Sequence, residues 1–415
     1  MAKKIKKKIK SAKISMKFCN TGKVDLLRKF IAEYRILVAF FVDLLWELKK
    51  VPVLIPKELT SKAETWLSAR AIQAAAKQAS GIVRGAKKKQ EQREYRYSAL
   101  LNEKKFKQAR KLRAIIDSHK VSKPVIDNIC PELDSRFVEI SWDSSSYIDG
   151  WLTLSSLGFP HGTKIVIPIK KHKHFNKMLA AGKIKTGVRL SNDSITFMFD
   201  VEEPVKVEEG STLGIDIGVN NVISVSDGFQ SVADKHGWTL DKIMDKMCLK
   251  KPGSKAYARL QALRINHTNW CANQVNLSGV KQVYCENIFD FGRNVRSSKK
   301  LRRWPCKNIL DKLEDRCLNA GVQFSKSHPA FTSQRCSSCG WVQRANRKDS
   351  TFKCKSCGHT QDADLNAALN ISFNLPSLGK DWRKLPNKKG FYWLTSGREF
   401  IVPDTQETDT CLSNP

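Results

Sequence analysis

The 415-residue sequence contains no apolar run long enough to cross a bilayer. Its longest, residues 36–41 and a little beyond, falls far short of the ~20 residues a span needs, and no signal-peptide core follows the lysine-rich N-terminus. No membrane contact is expected, and the chain reads as a prokaryotic cytoplasmic protein. Acid is also scarce: 40 Asp and Glu stand against 73 Lys and Arg, giving a formal charge of +33. Solubility needs nothing like that excess, which points to a polyanionic partner, nucleic acid first. Nor is there a serine or cysteine arrangement that asks for covalent catalysis. Cysteine itself is not lacking, at 12. Four have metal spacing, and a reducing compartment leaves the other eight as small, mostly buried hydrophobes. The length and apolar content suggest roughly two to four domains with real cores.

The chain is read outward from Gly214-Ile215-Asp216-Ile217-Gly218-Val219-Asn220. Leu213, Ile215 and Ile217 alternate onto one strand face, which leaves Gly214, Asp216 and Gly218 on the other. The glycines have no side chain to shield the acid, so a cation or a phosphate group has room to approach it. Alone, Asp216 reads equally well as an acid on a solvated strand. Two more pieces of the same texture follow. Residues 280–287 are β-prone and reach Glu286, and residues 362–371 open a helix with Asp362 and Asp364. Two Mg²⁺ ions about 4 Å apart, clamping the attacking and leaving oxygens of a phosphodiester, need hard oxygen ligands, and a few acids suffice. The set fits an RNase H type nuclease core. So does the order between the acids: a hairpin at Asp227-Gly228, a helical region over 254–276, and a second parallel strand at 280–286.

From the N-terminus, residues 1–13 are a lysine tract, read as a solvated arm with electrostatic contact to nucleic acid as its second use. Residues 11–18 fit a first strand. Leu27, Phe30, Tyr34, Leu37, Phe41, Leu45 and Leu48 repeat at helical spacing over 23–50, and Ser61 with Glu64 reads as a capping box for a second helix through 80. A third helix, 84–116, carries Lys87, Lys88, Lys89, Arg93, Arg96, Lys104, Lys107 and Arg110 with Tyr95, Tyr97 and Phe106 interleaved. That density favours phosphate contact over a merely solvated face. After Lys123-Pro124 and Cys130-Pro131 the period turns strand-like, at 137–142, 151–157, 164–169, 187–190 and 195–201. Short strands so spaced suggest a small antiparallel β-barrel. With 11–18 as its first strand, the helices become an insertion, a recognition lobe ahead of the nuclease core.

Cys336-Ser337-Ser338-Cys339 and Cys354-Lys355-Ser356-Cys357, 14 residues apart, form the most specific motif. Two such knuckles match the four-thiolate site of a zinc ribbon, whose closed coordination sphere leaves no position for chemistry. Two disulfides are the alternative, disfavoured by a reducing compartment. His359 reads as a surface or capping residue.

The Gly214 and Cys285-Glu286-Asn287 motifs, the run from Pro329 to Gly340 and Asp364-Leu365-Asn366-Ala367-Ala368-Leu369-Asn370-Ile371 resemble the RuvC core of transposon-encoded TnpB nucleases and of the compact type V CRISPR effectors, especially type V-F. The resemblance covers about 212–372 at motif level. It includes Trp304-Pro305 and the helix with Leu310, Leu313 and Gly321; the N-terminal half matches in layout only, and the tail after Pro376 matches nothing. It implies a multidomain α+β protein divided into a basic arm with the first wedge strand (1–21), a helical lobe (22–120), a wedge barrel (121–208), the RuvC core (209–330), the zinc ribbon (331–360), the helix with the third acid (361–376) and a tail (377–415).

The same resemblance implies that Asp216, Glu286 and Asp364 hold two Mg²⁺ ions. Asp362 is then a capping or solvated acid, and Arg335 an active-site arginine. It also implies RNA-guided cleavage of target DNA beside a short flanking motif, by a CRISPR antiviral effector with crRNA and tracrRNA or by a TnpB protein with a transposon-derived RNA. A non-cleaving zinc-ribbon nucleic-acid binder is the reading from another class. Finally, a compact lobe of about 95 residues spans roughly 35 Å. This is short for a guide heteroduplex of about 20 base pairs, so the rest needs other cover: a second copy of the chain on one guide RNA, as the type V-F resemblance implies, or folded RNA around a monomer, as the TnpB resemblance implies.

Overall fold

A computed structural model describes residues 7–118, 122–143, 147–158, 163–288, 298–375, 385–395 and 400–401. The first six residues of the basic arm and most of the expected tail lie outside them. The chain divides into two units, Met1–Glu202 and Glu203–Pro415.

In the first unit the order is β1 (Lys7–Ser15), α1 (Thr21–Trp46), α2 (Lys57–Thr60), α3 (Ala69–Asn102), α4 (Phe106–Ser118), β2 (Glu132–Leu133), β3 (Val138–Trp142), β4 (Gly150–Leu154), β5 (Ile165–Ile169), α5 (Lys173–Ala181), β6 (Gly182–Leu190) and β7 (Ser194–Glu202). Two antiparallel sheets form, one in the order β1-β7-β6-β2 and one of β3-β4-β5. The strand begins inside the lysine tract: Lys7 pairs with Glu202 and Lys13 with Thr196. Alternation explains the later part of the strand, where Ala12, Ile14 and Met16 bury one face while Ser11, Lys13 and Ser15 take the other.

Helix α1 buries Leu27, Phe30, Tyr34, Leu37, Phe41 and Leu45, each contributing about 1.5–3 kcal/mol. Its partner face on α3 is made of Ala71, Ala75, Ala76, Ala79 and Val83, small side chains that let the two helices approach closely. The expected capping box at Ser61 and Glu64 is corrected. Ser61 ends the short α2, and the cap of the long helix is Ser68, whose hydroxyl accepts from Ala71 N at 3.0 Å. A helix then runs without interruption to Asn102, and the break from α4 falls at Lys104, in the left-handed region at φ 54°. Helix α5, which the sequence reading left out, starts at an unusual cap: His172 Nδ1 accepts from Phe175 N at 3.3 Å.

The second unit contains β8 (Ser211–Asp216), β9 (Ser224–Val225), α6 (Leu240–Cys248), α7 (Lys255–Gln274), β10 (Val280–Glu286), α8 (Cys306–Ala320), β11 (Gln323–Ser327), β12 (Trp341–Val342), β13 (Arg347–Lys348), β14 (Thr351–Lys353), β15 (Thr360–Asp362), α9 (Ala363–Ser372), β16 (Phe391–Trp393) and β17 (Phe400–Ile401). Its main sheet runs β11-β10-β8-β9, with β10 parallel to both β8 and β11 and β9 antiparallel. Leu213, Ile215, Val280, Val283 and Cys285 pack with Cys271 and Ala272 of α7 and with Ile309, Leu310 and Leu313 of α8. Gly214, on the opposite face, has another purpose than the one its bare backbone suggested. A Cβ there would lie 2.0 Å from Ala368 O and 2.4 Å from Ser372 N. Helix α9 therefore sits directly on β8, and the glycine makes room for the helix, not for a ligand.

Candidate active site and zinc centre

Parallel pairing places the first two acids. Ile215 lies opposite Cys285 in the β8–β10 register, so Asp216 and Glu286 follow one residue later at the same end of adjacent strands. Asp364 comes from the first turn of α9, the helix seated on Gly214. The three acids form one electrostatic set. Burial raises the Asp216 carboxyl well above its usual range, and the charges of Glu286 and Asp364 raise it further. Burial also pushes Glu286 up, to about 7, against the hydroxyl hydrogen bond from Thr332 and the Arg347 charge. Buried carboxyls that repel one another in this way, with only Arg347 as a counter-charge among the described residues, are the oxygen donors that a hard divalent cation takes.

Asp364 has two partners: its Oδ1 accepts from Arg347 Nη2 at 2.8 Å, and its Oδ2 from Asn221 Nδ2 at 3.2 Å. Beside it opens a cavity of about 660 Å³ lined by Asn220, Asn221, Ser333, Arg347, Ser350 and Asp364. Asp362 caps α9, its Oδ1 accepting from Asp364 N at 2.9 Å, Leu365 N at 3.1 Å and Gln230 Nε2 at 2.9 Å. It serves the helix start and leaves Asp364 to face the cavity.

Arg335 is placed elsewhere than expected. Only 3% exposed, it donates from Nε to Trp393 O at 2.7 Å and from Nη1 to Asn370 Oδ1 at 2.6 Å and Cys336 O at 3.2 Å, with Phe373 under its plane. Burial lowers its pKa to about 10. Such a guanidinium is a structural cross-brace, and the arginine that faces the acids is Arg347 on β13. The sequence reading missed Arg347 because nothing in its neighbours marks it. Only the folding of the ribbon brings it to Asp364.

The four cysteines bring their sulfurs within 4.8 Å of one another, and no other His, Cys, Asp or Glu set converges in this way among the described residues. Their contacts, 3.8 Å for Cys336–Cys357 and 3.6 Å for Cys339–Cys354, are far longer than a disulfide bond of about 2.05 Å. Hydrogen bonds from Cys339 and Cys354 hold the Cys336 thiol down, at about 3. Four sulfurs converging in this way suit a tetrahedral Zn²⁺. His359 turns away, bonding Gln361 at 3.3 Å through Nε2.

Hydrogen bonds connect the two centres. Ser337 N donates to Asn366 Oδ1, and the amides of Asn366 and Asn370 both donate to Arg335 O. Asn370 also donates to Thr332 O at 3.0 Å, and the Thr332 hydroxyl donates to Glu286. The knuckle, α9 and the second acid thus share one buried network.

Of the cations expected to meet nucleic acid, Lys87 is otherwise engaged: its ammonium donates to Trp46 O at 2.7 Å and Leu48 O at 2.5 Å, capping the end of α1. Lys88, Lys89, Arg96, Lys104, Lys107 and Arg110 are exposed and Arg93 is half-buried, on α3, α4 and the turn between them.

Residues 300–371 match a family model described as the Cas12f1-like TNB domain. Over 95 residues the chain is 38% identical to the CRISPR-associated endodeoxyribonuclease Cas12f1 of Sulfoacidibacillus thermotolerans, covering 23% of this chain and 21% of that protein. Over 214 residues it is 28% identical to the putative RNA-guided DNA endonuclease InsQ of Escherichia coli K12, covering 43% of this chain and 52% of that one. Among solved structures, the mini-RNA-guided endonuclease CRISPR-Cas phi3 shares the fold with a TM-score of 0.50 and 10% identity, over 90% of this chain and 93% of that one. The chain is thus similar to compact type V effectors and TnpB-like nucleases. Its alignments span about half or less of these two curated relatives.

Proposed function

We propose that this chain is an RNA-guided DNA endonuclease. In this reading its second unit is a RuvC-type, RNase H-like core carrying a zinc ribbon, and its first a β-barrel wedge with an inserted helical recognition lobe. The observation that carries the proposal is the gathering of Asp216, Glu286 and Asp364, from two strand ends and a helix start, into one charge-coupled set beside a cavity. The curated relatives, named for CRISPR-associated and RNA-guided DNA cleavage, support the choice of substrate.

Asp216, Glu286 and Asp364 would hold two Mg²⁺ ions, which supply Lewis-acid stabilisation of charge on the scissile phosphodiester. The chain does the rest. Thr332 fixes the Glu286 carboxylate, Asp362 fixes the first turn of α9, and Asn221 orients Asp364. Arg347, its side chain 32% exposed and lining the cavity, is placed to hold a phosphate oxygen once its ion pair with Asp364 opens. Water attacking in line opens the phosphodiester to a 5′-phosphate and a 3′-hydroxyl, and no protein nucleophile is used. The guide RNA supplies sequence recognition by pairing. The cations of α3 and α4 would take its phosphates, and a second copy of the chain would share the guide.

A TnpB protein with a transposon-derived RNA fits the same site, and the similarity to InsQ favours keeping that reading. Sequencing the RNA that co-purifies with the chain separates the two by its source. The same RNA then tests the function. DNA matching its guide segment should be cut in Mg²⁺ and mismatched DNA spared; a complex that binds matched DNA and leaves it whole would establish the non-cleaving alternative.

A further inference from the structure

The first unit carries a cluster of aromatic rings and cations on elements other than α3 and α4. Trp142 ends β3 opposite Gly150, which pairs in turn with Ile169, so Lys170 and Lys171 leave β5 at the same end of the sheet. The turn after β1 brings Phe18 there, its ring edge-on to Tyr147 with centroids 6.0 Å apart. Each ring has an ammonium over it: Lys17 at 4.7 Å from the Phe18 centroid, Lys170 at 4.3 Å from Tyr147 and Lys171 at 4.8 Å from Trp142. Yet Tyr147 is 71% exposed and Trp142 42%.

The cluster is braced from beneath. Trp142 meets the buried Phe175 at 6.1 Å. Asp149 accepts from Lys171 N at 2.8 Å and pairs with Lys170 at 3.5 Å, and Lys170 also donates to Tyr147 O. Because His172 Nδ1 accepts the α5 cap bond, its Nε2 carries the proton and donates to Lys13 O at 3.0 Å, tying α5 to β1.

Exposed cation–π pairs are weak, and they give little reason to keep two large rings in water. Rings alternating with ammonium groups are what a polynucleotide with free bases requires: flat faces for stacking and mobile cations for phosphates. A closed duplex presents no base face, and an acidic peptide has no use for the rings. We propose that Trp142 and Tyr147 form a stacking platform for unpaired nucleotides of a single strand, with Lys17, Lys170 and Lys171 moving from the rings onto its phosphates. The site does not depend on the cleavage chemistry, so it stands or falls apart from the nuclease reading.

The test uses the full chain stripped of nucleic acid and a labelled oligouridylate of about ten nucleotides. With 4-thiouridine in the oligonucleotide, photocross-links should map to peptides bearing Trp142 or Tyr147. By fluorescence anisotropy, Trp142→Ala with Tyr147→Ala should weaken binding about tenfold or more, while Trp142→Phe with Tyr147→Phe, which keeps flat rings, should hold most of the affinity. Lys170→Ala with Lys171→Ala should flatten the slope of log affinity against log salt by about 1.4, two phosphates' worth on a single strand. An oligothymidylate run in parallel assigns the strand: a loss confined to RNA points to the guide, a loss on both includes displaced DNA. Cross-links that map only elsewhere, alanine variants that bind like the wild type, or a blunt duplex that loses as much as the single strand would overturn the platform.

Discussion

At the residue scale the acids and their two neighbouring arginines separate sharply. On the proposed reading, Asp216→Ala, Glu286→Ala or Asp364→Ala should each abolish cleavage and leave guide-dependent DNA binding largely intact, because each would remove a metal ligand and no phosphate-contacting cation. Asp362→Ala should cost helix capping, about 1 kcal/mol, and only part of the rate; if it killed cutting while Asp364→Ala did not, the assignment of the third acid would be wrong. Arg347→Ala should lower the rate on the order of a hundredfold with the fold preserved. Arg335→Ala should instead lower the melting temperature, since Trp393 O and Asn370 Oδ1 lose their buried donor, at about 1–3 kcal/mol for each group left unpaired. Measuring melting and single-turnover rate on both variants checks the exchange of roles. The carboxyl shifts add a pH signature. With folded pKa raised from 4.5 to about 7, Glu286 binds its proton more tightly folded than unfolded. Its stabilising effect is therefore full below about pH 4.5 and fades as pH rises toward 7, and Asp216 acts in the same direction. In EDTA the chain should thus lose stability over that window, and Mg²⁺, which needs the carboxylates ionised, should restore more at about pH 8 than at about pH 5.5. Equal Mg²⁺ gains at both would remove these acids from the site.

At the element scale, the four-cysteine knuckles and α9 are joined by one hydrogen-bond network. Chelation or Cys354→Ser should release the knuckle from Asn366 and Asn370, loosen the Thr332 hold on Glu286, and impair cutting. Elemental analysis of fresh, reduced protein should find one zinc per chain, and less than about half an equivalent would remove the basis for this. Gly214→Ala tests the seat of α9: its Cβ would meet the helix backbone, so a loss of about 1–3 kcal/mol by overpacking is expected together with reduced cutting. The element scale is also where the sequence was most and least readable. The alternation of Leu213, Ile215 and Ile217, the helical stripe of α1 and the cysteine knuckles are local patterns, and each identified its element. What Gly214 was for, where α3 begins and which arginine meets the acids are tertiary facts. Ser61 and Ser68 both satisfy the local rule for a helix start, and burial of Leu67 and Ala71 in the core of the first unit selects the second. Arg335 and Arg347 are equally basic in sequence, and only the buried carbonyls around the first show that it braces the ribbon.

At the scale of the whole molecule, on the proposed RNA-guided reading, the length of the helical lobe bears on how many chains would serve one guide. The lobe is not the compact body that its residue count suggested. Helix α3 has 34 residues and at 1.5 Å each reaches ~51 Å, built from an alanine face under α1 followed by a basic stretch in solvent. A heteroduplex of about 20 base pairs at up to 3.4 Å per pair is ~68 Å long, so even this helix falls short of the full duplex by several pairs. Phe30, Tyr34 and Phe41 are consumed inside the lobe at 0% exposure, which removes them as contacts for another copy. Ile36 at 65% and Phe40 at 37% remain on α1, and Tyr95 at 79% and Phe106 at 64% on the basic arm of the lobe. An apolar set this exposed, on a lobe too short for the proposed guide duplex, favours a second copy as its cover. Light scattering on the reconstituted RNA complex should therefore give the mass of two chains per guide, and Ile36→Ser with Phe40→Ser should reduce it toward one. A mass of one chain per guide for the unaltered protein at working concentration would assign the remaining duplex to folded RNA instead.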